Sequence, residues 1–235
     1  TIINGMGDMH LRAVLERLKN KYNVDVDTKP PKIAYRETIT MKAEGHHRHK
    51  KQTGGAGQFG EVYLRVEPLE RDAGFEFAND IFGGSIPTQF IPAVEKGVRQ
   101  VLVEGCVAGY PMQDLRVSIC DGKHHPVDSK EVAFVTAARK GFQDAVGKAK
   151  PVLLEPIVNV EITVPNDKMG DITGDLSGKR GRVQGTDMMP GDMSVIQAQV
   201  PLSEMSNYQS QLKSVTGGQG AYTMEFSHSI DTTGV

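Results

Sequence analysis

The sequence has 235 residues, of which 38% are hydrophobic and 24% are charged, and its formal net charge is −2. This composition supports packed cores and excludes a wholly disordered chain. No apolar run approaches the roughly 18 residues of a membrane span, which excludes a transmembrane protein. At about 150 residues per domain, the length predicts one large domain or two to three small ones.

The cysteine content and the first residues of the sequence indicate the cellular compartment and whether the sequence is a whole protein. Cys106 and Cys120 are too few for a disulfide framework or a four-cysteine zinc site, so we expect a reducing, cytoplasmic setting. The first residues contain neither an initiator Met nor a signal segment. We therefore expect the sequence to be part of a longer protein.

Charge is unevenly distributed along the chain. Residues 155–235 carry 5 Lys/Arg against 10 Asp/Glu, whereas the rest is slightly basic. A nucleic-acid binder usually has a basic excess, so any contact with phosphates would have to be local. The candidate patch is the HHRHKK run at 46–51.

Residues 1–37 begin with apolar residues at helical spacing, which predict a helix over 11–22 with Asp8 as its N-cap. Short extended patterns predict strands over 24–26 and 33–39. This is too little for a domain, so we interpret it as the C-terminal half of one.

Residues 38–154 mix strands and helices. Alternating patterns predict strands over 61–66, 75–81 and 115–119, and helical spacing predicts helices over 91–102 and 132–145. Asp128 and Glu131 have the spacing of a capping box before the second helix. Two polar or glycine-rich loops, 52–60 and 121–126, interrupt these elements, and prolines near 150–156 mark a boundary.

Residues 155–235 have the clearest pattern. Strands are predicted over 158–164, 182–186, 195–200 and 222–226, with helices over 169–176 and after Ser203. The order β-α-β-β-α-β is the ferredoxin-like arrangement. Because many functions use that fold, it does not decide the function.

Three kinds of site can be weighed from the residues. The glycine loop at 54–60 lacks the Lys-Ser or Lys-Thr of a phosphate-binding loop, so we expect no nucleotide site. Five of the seven histidines fall in two clusters, but adjacent loop histidines rarely converge on one metal ion. The same imidazoles could contact bases and riboses of structured RNA. The clusters are His46, His47 and His49, and His124 with His125.

The basic runs at 46–51 and 179–182 have two interpretations. Composition alone favours solvated strands over RNA-contacting patches. From the residues alone, the chain is a multi-domain α+β protein whose contact with RNA stays open.

Several motifs, in unbroken order over about residues 1–228, resemble the elongation factor G family. NGMGDMHL at 4–11 and IAYRET at 33–38 are similar to the end of its third domain. The loop at 52–60, GGSIP at 83–87, IPAV at 91–94, AGYP at 108–111 and VDS at 127–129 are similar to its fourth. Residues 167–181 and MPG at 189–191 are similar to its fifth.

The resemblance implies a multi-domain α+β chain of three modules. Residues 1–37 would be half of a ferredoxin-like domain, and 38–154 a ribosomal-protein-like fold with a left-handed βαβ crossover, an exception to the right-handed rule. Residues 155–235 would be a complete ferredoxin-like domain.

The implied function is that of the C-terminal part of a ribosome-dependent GTPase that promotes tRNA–mRNA translocation. Its G domain, with GTP and magnesium, would lie outside this chain, which would have no catalytic residue, cofactor or metal. The implied partners are rRNA at the decoding centre and the stalk base, and the tRNA–mRNA complex. We expect a cytoplasmic monomer without membrane contact.

The resemblance also implies where RNA would be contacted. His125 matches the histidine at the tip of the fourth domain, and Gln58 matches the glutamine of the neighbouring loop. The expected RNA-facing residues of the two loops are Lys50, Lys51, Gln52, Gly54, Gly55, Gly57, Gln58, Lys123, His124 and His125.

Some residues depart from the family pattern. Ala56, Glu61, Thr88 and Pro126 stand where the family usually has Arg, His, a basic residue and Asp, and the tail at 229–235 also differs. These departures are more similar to the divergent second elongation factor G-like paralogue. The alternative within the family is therefore a ribosome-protection or recycling paralogue. The alternative from a different class is a His-dependent metallohydrolase.

Overall fold

The computed structural model describes residues 3, 5, 8–29, 31–52 and 57–232. The chain divides into two compact units. The terminal unit comprises Thr1–Ile33 and Pro156–His228, and the central unit comprises Ala34–Glu155 and Ser229–Val235. The elements in chain order are α1 (Asp8–Tyr22), β1 (Arg36–Ile39), β2 (Ala43–Lys51), β3 (Gln58–Pro68), β4 (Phe75–Asn79), α2 (Ile91–Glu104), β5 (Leu115–Lys123), α3 (Glu131–Lys148), β6 (Pro151–Pro165), α4 (Met169–Gly178), β7 (Arg182–Met189), β8 (Met193–Pro201), α5 (Tyr208–Thr216) and β9 (Ala221–Asp231).

The central unit contains a four-stranded sheet of order β2-β3-β5-β4. Neighbouring strands are antiparallel except β4 and β5, which are parallel and connected through α2. Alternate residues of β3 (Val62, Leu64 and Val66) are at most 1% exposed, as the alternating pattern predicts. Burying each such side chain contributes about 1.5–3 kcal/mol. The left-handed sense of the crossover stays a prediction.

Helices α2 and α3 share one hydrophobic core with this sheet, and glycines allow two of the close contacts between these elements. Helix α3 packs on β2, β3 and α2. A Cβ on Gly45 would collide with Gly141 O and Ala145 N, so the backbones of β2 and α3 lie in direct contact there. Between α2 and α3, a Cβ on Gly97 would lie 2.5 Å from Val135 O. These glycines bring β2, which carries the basic run, against the helical layer.

The terminal unit contains the predicted β-α-β-β-α-β order as β6-α4-β7-β8-α5-β9. Its sheet order is β9-β6-β8-β7, and both the β6–β8 and β7–β8 pairs are antiparallel. This is the ferredoxin-like topology. Apolar residues of the strands and of α4 and α5 form one core, whose fully buried members include Ile162, Leu176, Ile196 and Tyr208.

Several local predictions are wrong at the ends of elements. Residues 24–26 form no strand, because Asn23 N and Val24 N donate back to Lys19 O and Leu18 O of α1, and Asn23 is left-handed with φ 51°. The predicted strand over 33–39 begins only at Arg36, which pairs with Leu154.

The starts of two predicted helices also differ. Helix α3 begins at Glu131 with Lys130 at the N-cap and no side-chain cap. Helix α5 begins at Tyr208 after Asn207, because Ser203 lies in a 3-10 turn over Leu202–Met205. The side chain of Asp8, the predicted cap of α1, lies outside the described residues. In the described ranges, none of the helices has the length and hydropathy to cross a membrane.

Candidate nucleic-acid interface

The two predicted tip segments lie side by side at one end of the central sheet. Phe59 N donates to Asp128 O at 2.9 Å, and Ser129 Oγ donates to Phe59 O at 3.0 Å. Phe59 and Ser129 also form a parallel β-bridge. The start of β3 and the loop between β5 and α3 are therefore held together by one backbone hydrogen bond and one from the Ser129 side chain.

Asp128 is the main connection between these segments. Its Oδ1 accepts a hydrogen bond from Gly57 N at 3.1 Å. A Cβ at Gly57 would lie 2.9 Å from Asp128 Cγ, so a side chain there would push the carboxylate away. Gly57 is thus the residue that allows the carboxylate to reach the opposite backbone. We name Gly57, Phe59, His125, Asp128 and Ser129 the tip clamp.

His125 is oriented by the same clamp. Its backbone N donates to Ser129 Oγ at 2.8 Å, and its ring Nδ1 accepts from Asp128 N at 3.1 Å and Val127 N at 3.3 Å. Because two N–H groups point at Nδ1, we assign the ring proton to Nε2. The side chain is 50% exposed. His125 therefore presents a fixed Nε2–H donor on a half-exposed ring.

His124 has a different partner and tautomer. Its Nδ1 lies 3.1 Å from Ser85 O, so Nδ1 is the donor. The two adjacent rings are thus engaged in different directions and do not converge. Over the described ranges, no group of three or more His, Cys, Asp or Glu side chains could hold a metal ion, so the metallohydrolase alternative has no ligand set there.

Neither cysteine offers a reactive thiolate. Burial, with the nearby carboxylates of Glu37 and Glu104, raises the pKa of Cys106 to about 12. Burial also raises the pKa of Cys120, despite the opposing effect of Arg65. Both thiols stay protonated at neutral pH, which does not favour nucleophilic catalysis.

The remaining expected residues are distributed between strands and loops. Lys50, Lys51, Gln58 and Lys123 lie on strands rather than in loops, since β2 ends at Lys51, β3 begins at Gln58 and β5 ends at Lys123. Gln52 follows β2 in irregular backbone, and Gly54 and Gly55 lie outside the described residues.

Strand pairing places the lysines at the tip end of the sheet. Lys51 pairs with Gln58 on β3, and Lys123 pairs with Glu61 of the same strand. His49 Nε2 lies 3.1 Å from Gln58 Oε1. The ammonium groups of Lys50, Lys51 and Lys123 are on exposed residues, where they provide positive charge beside His125.

The rest of the basic run is largely compensated. Glu61, 2% exposed, accepts from Arg48 Nε at 2.9 Å and lies 2.8 Å from His46 Nε2. Burial raises the pKa of Glu61, but the hydrogen bonds from Arg48 and His46 outweigh burial and hold it below its usual 4.5. Tyr63 stacks on His46 with ring centroids 4.2 Å apart.

The other histidine of the run faces the helical layer, and the second basic run is ion-paired. Burial and Lys140 lower the pKa of His47, so this imidazole is neutral at pH 7. Lys179 pairs with Asp175 at 2.7 Å, and Arg180 pairs with Glu204 at 3.2 Å. Lys179 and Arg180 of the second run are thus compensated, whereas Lys50, Lys51 and Lys123 lie exposed at the tip end of the sheet.

Sequence reasoning places Gly57 and His125 of the clamp among the expected RNA-facing residues but does not predict the contacts of Phe59, Asp128 and Ser129. The spacing of Asp128 to Glu131 fits a capping box, which predicts that Asp128 caps α3. The side chains of Asp128 and Ser129 instead reach the segment of Gly57 and Phe59, about 70 positions away. Polar residues able to cap a helix can also bind another backbone, and spacing alone does not distinguish the two.

Comparisons with known proteins agree with this architecture. Family models described as "Elongation factor G, domain IV" and "Elongation factor G C-terminus" match residues 31–150 and 152–234, and "Elongation Factor G, domain III" matches residues 1–30. The boundaries of the units described above fall close to the ends of these matches.

Individual relatives match over nearly the whole chain. An elongation factor G-like protein of Thermotoga maritima is 48% identical over 96% of this chain and 33% of its own length. The elongation factor G of Aquifex pyrophilus is 47% identical over 97% of this chain and 32% of its own length. A crystal structure from Thermus thermophilus superposes with a TM-score of 0.83 at 41% identity, covering 98% of this chain and 34% of that one. The chain spans about a third of the length of these relatives, and it belongs to the elongation factor G family.

Proposed function

We propose that this chain is the ribosome-contacting C-terminal part of a translation factor that promotes movement of the tRNA–mRNA complex, and that its tip clamp contacts RNA. The observation that carries the proposal is His125, whose Nδ1 is occupied by two backbone N–H groups and whose Nε2–H is left as an oriented donor. Family membership supports the same assignment.

The tip can contact RNA without first becoming ordered. A donor already fixed by the clamp loses little conformational freedom on binding, so more of its hydrogen-bond energy contributes to affinity. The acceptor could be a phosphate, a ribose 2′-oxygen or a base edge. Exposed Lys50, Lys51 and Lys123 would neutralise nearby phosphates without reading sequence.

Nucleotide chemistry is assigned to a different part of the factor. The sequence contains no G-x-x-x-x-G-K-[ST] motif, so its residues do not fit GTP and magnesium. In the proposed full factor, a GTPase domain outside this chain would bind and hydrolyse GTP. This chain would supply contacts with the decoding centre and, through its ferredoxin-like unit, with the stalk base, acting as a cytoplasmic monomer.

A paralogue specialised for ribosome protection or recycling is the second candidate. Pro126 and Glu61 favour it, since each replaces a residue usual in the family, and Glu61 organises His46 and Arg48 of β2. Both candidates contact the ribosome and differ in whether the tip supports movement of tRNA.

Ribosome binding by the chain tests the proposal. Sedimentation with ribosomes carrying mRNA and tRNA, at low and physiological salt, should give weak binding that falls steeply with salt, because the phosphate contacts are few and local. The elongation factor G of Aquifex pyrophilus should displace the chain. Binding that is insensitive to salt or to this competitor would contradict the proposal.

A further inference from the structure

Phe82 lies in the connection between β4 and α2 and is 92% exposed, the highest value among the large apolar side chains that the structure describes. The backbone on either side is anchored: Asp80 N donates to Ile119 O at 2.9 Å, and Ile86 is 3% exposed. The ring is therefore held in solvent by a connection whose two ends are attached to the sheet and its core.

The backbone after Phe82 is specialised to form this projection. Gly83 and Gly84 have φ values of +82° and +71°, a conformation that other residues rarely adopt. No heavy atom lies within 4 Å of a Cβ placed at either position. These positions therefore favour glycine because of their positive φ angles and not because a side chain would lack space. The two glycines turn the chain directly after the exposed ring.

The Phe82 connection is joined to the tip. Ser85 O accepts the hydrogen bond from His124 Nδ1 at 3.1 Å, and Ile86 packs directly against Gly122 of β5. Lys123 and His124, both exposed, lie beside this junction. An exposed aromatic ring, an ammonium group and an imidazole therefore occupy the same end of the central unit.

We propose that Phe82 is a base-stacking residue that receives an unpaired base of the RNA contacted by the tip. This inference rests on the proposed function. Single-stranded RNA is bound by aromatic rings presented beside cations, because every base has a π-face and each nucleotide a phosphate. A protein partner would call for a contiguous apolar patch, whereas Phe82 is followed by two glycines and preceded by Ile81, which packs against the core.

A substitution series distinguishes stacking from other contacts. The affinity of the chain for ribosomes carrying mRNA and tRNA is measured by sedimentation at low salt for Phe82→Ala, Phe82→Leu and Phe82→Trp. The matched control is Phe226→Ala, a 62% exposed Phe on β9 of the terminal unit. Melting temperatures of all variants verify folding, which an exposed side chain should not affect.

Stacking predicts that Phe82→Ala and Phe82→Leu each lose about tenfold in affinity, equivalent to about 1.4 kcal/mol and within the range for one stacked base. Phe82→Trp should stay within about twofold of the unaltered chain, as should Phe226→Ala. Unchanged affinity of Phe82→Ala would overturn the inference, and retained affinity of Phe82→Leu would indicate an apolar protein pocket instead. Failure of the unaltered chain to bind would overturn the proposed function itself.

Discussion

The carboxylate of Asp128 and the backbone N–H of Gly57, 71 positions apart in sequence, are joined by a hydrogen bond of 3.1 Å. This contact, with those of Phe59 and Ser129, makes two separate segments into one surface. Because His125 takes its ring orientation from the same loop, the geometry of the proposed RNA contact depends on the clamp.

Replacing Asp128 should therefore weaken binding as well as folding. Asp128→Ala removes the acceptor for Gly57 N, and since the side chain is 27% exposed, we expect a loss of about 1 kcal/mol in the free energy of unfolding. Ribosome affinity should fall about five- to tenfold. Asp128→Asn, which keeps an acceptor oxygen, should recover most of the stability in chemical denaturation. Equal losses for both variants would contradict this role.

Glu37 should be a strong determinant of stability in the central unit. Its fully buried carboxylate accepts hydrogen bonds from the backbone N–H groups of Cys106, Val107, Ala108 and Tyr110, at 2.7–3.1 Å. Glu37→Gln replaces one acceptor oxygen by a donor that faces these N–H groups, so we expect a loss of about 2–4 kcal/mol. Denaturant titration measures it, and exposed Glu70→Gln is the control.

The same residue predicts a pH dependence. Burial raises the pKa of Glu37, but the four backbone donors together outweigh it, so the pKa lies below its usual 4.5. A carboxyl group with a lowered pKa stabilises the fold above its usual pKa and loses that contribution as pH falls through the folded value. The stability of the unaltered chain should therefore fall below about pH 4.5, and more steeply than that of Glu37→Gln. Parallel curves would refute this assignment.

Alanine substitutions at two helical glycines should have opposite effects on stability. Gly97→Ala places a Cβ 2.5 Å from Val135 O and 2.9 Å from Ala138 Cβ, and the resulting separation of α2 from α3 should cost about 1–3 kcal/mol. Gly147→Ala, in α3 with open space around its Cβ, should instead stabilise by about 0.5–1 kcal/mol. Thermal unfolding of the two variants measures both. A stabilising Gly97→Ala would contradict the close packing.

Glu61 and Arg48 should be coupled in stability. Glu61 is buried and Arg48 is about half exposed, so removing the carboxylate leaves a cation that can be hydrated. We expect Glu61→Gln to cost about 1–2 kcal/mol and a double-mutant cycle with Arg48→Gln to give a coupling of at least about 0.5 kcal/mol. Additive effects of the two substitutions would show that the interaction between Glu61 and Arg48 does not contribute to stability.

The sequence predicts correctly those helices and strands that bury one face, because burial produces a periodic pattern of apolar residues. The alternation in β3 and the apolar spacing in α2 and α3 predicted those elements within a few residues, because burial alone dictates both patterns. The ferredoxin-like order of the terminal unit followed for the same reason. The ends of elements were predicted less well, since Asn23 redirects the chain after α1 through local hydrogen bonds that have no periodicity.

The candidate site was only partly accessible from sequence. The resemblance singles out His125 and Gln58, but it does not predict which contacts hold their side chains in place. Asp128 binds Gly57 across 71 positions, and Glu61 neutralises part of the basic run because strand pairing sets Arg48 opposite it. Such contacts depend on register and topology, which no local pattern encodes. The ring of His125 likewise accepts two backbone N–H groups of its own loop, a contact that its resemblance to the tip histidine does not predict.

The most direct test of the account is the single-turnover rate of tRNA–mRNA translocation by the full factor carrying His125→Asn or His125→Ala. Asn offers an oxygen that can replace Nδ1 as acceptor for Val127 N and Asp128 N, but its amide N–H group lies closer to the backbone than Nε2–H of the imidazole and cannot take its place. We predict that His125→Asn keeps the melting temperature within about 2 °C and slows translocation at least about tenfold without slowing GTP hydrolysis, and that His125→Ala is equally slow and about 1 kcal/mol less stable. Wild-type translocation by His125→Asn would contradict the account, because His125 would then serve only to hold its own loop.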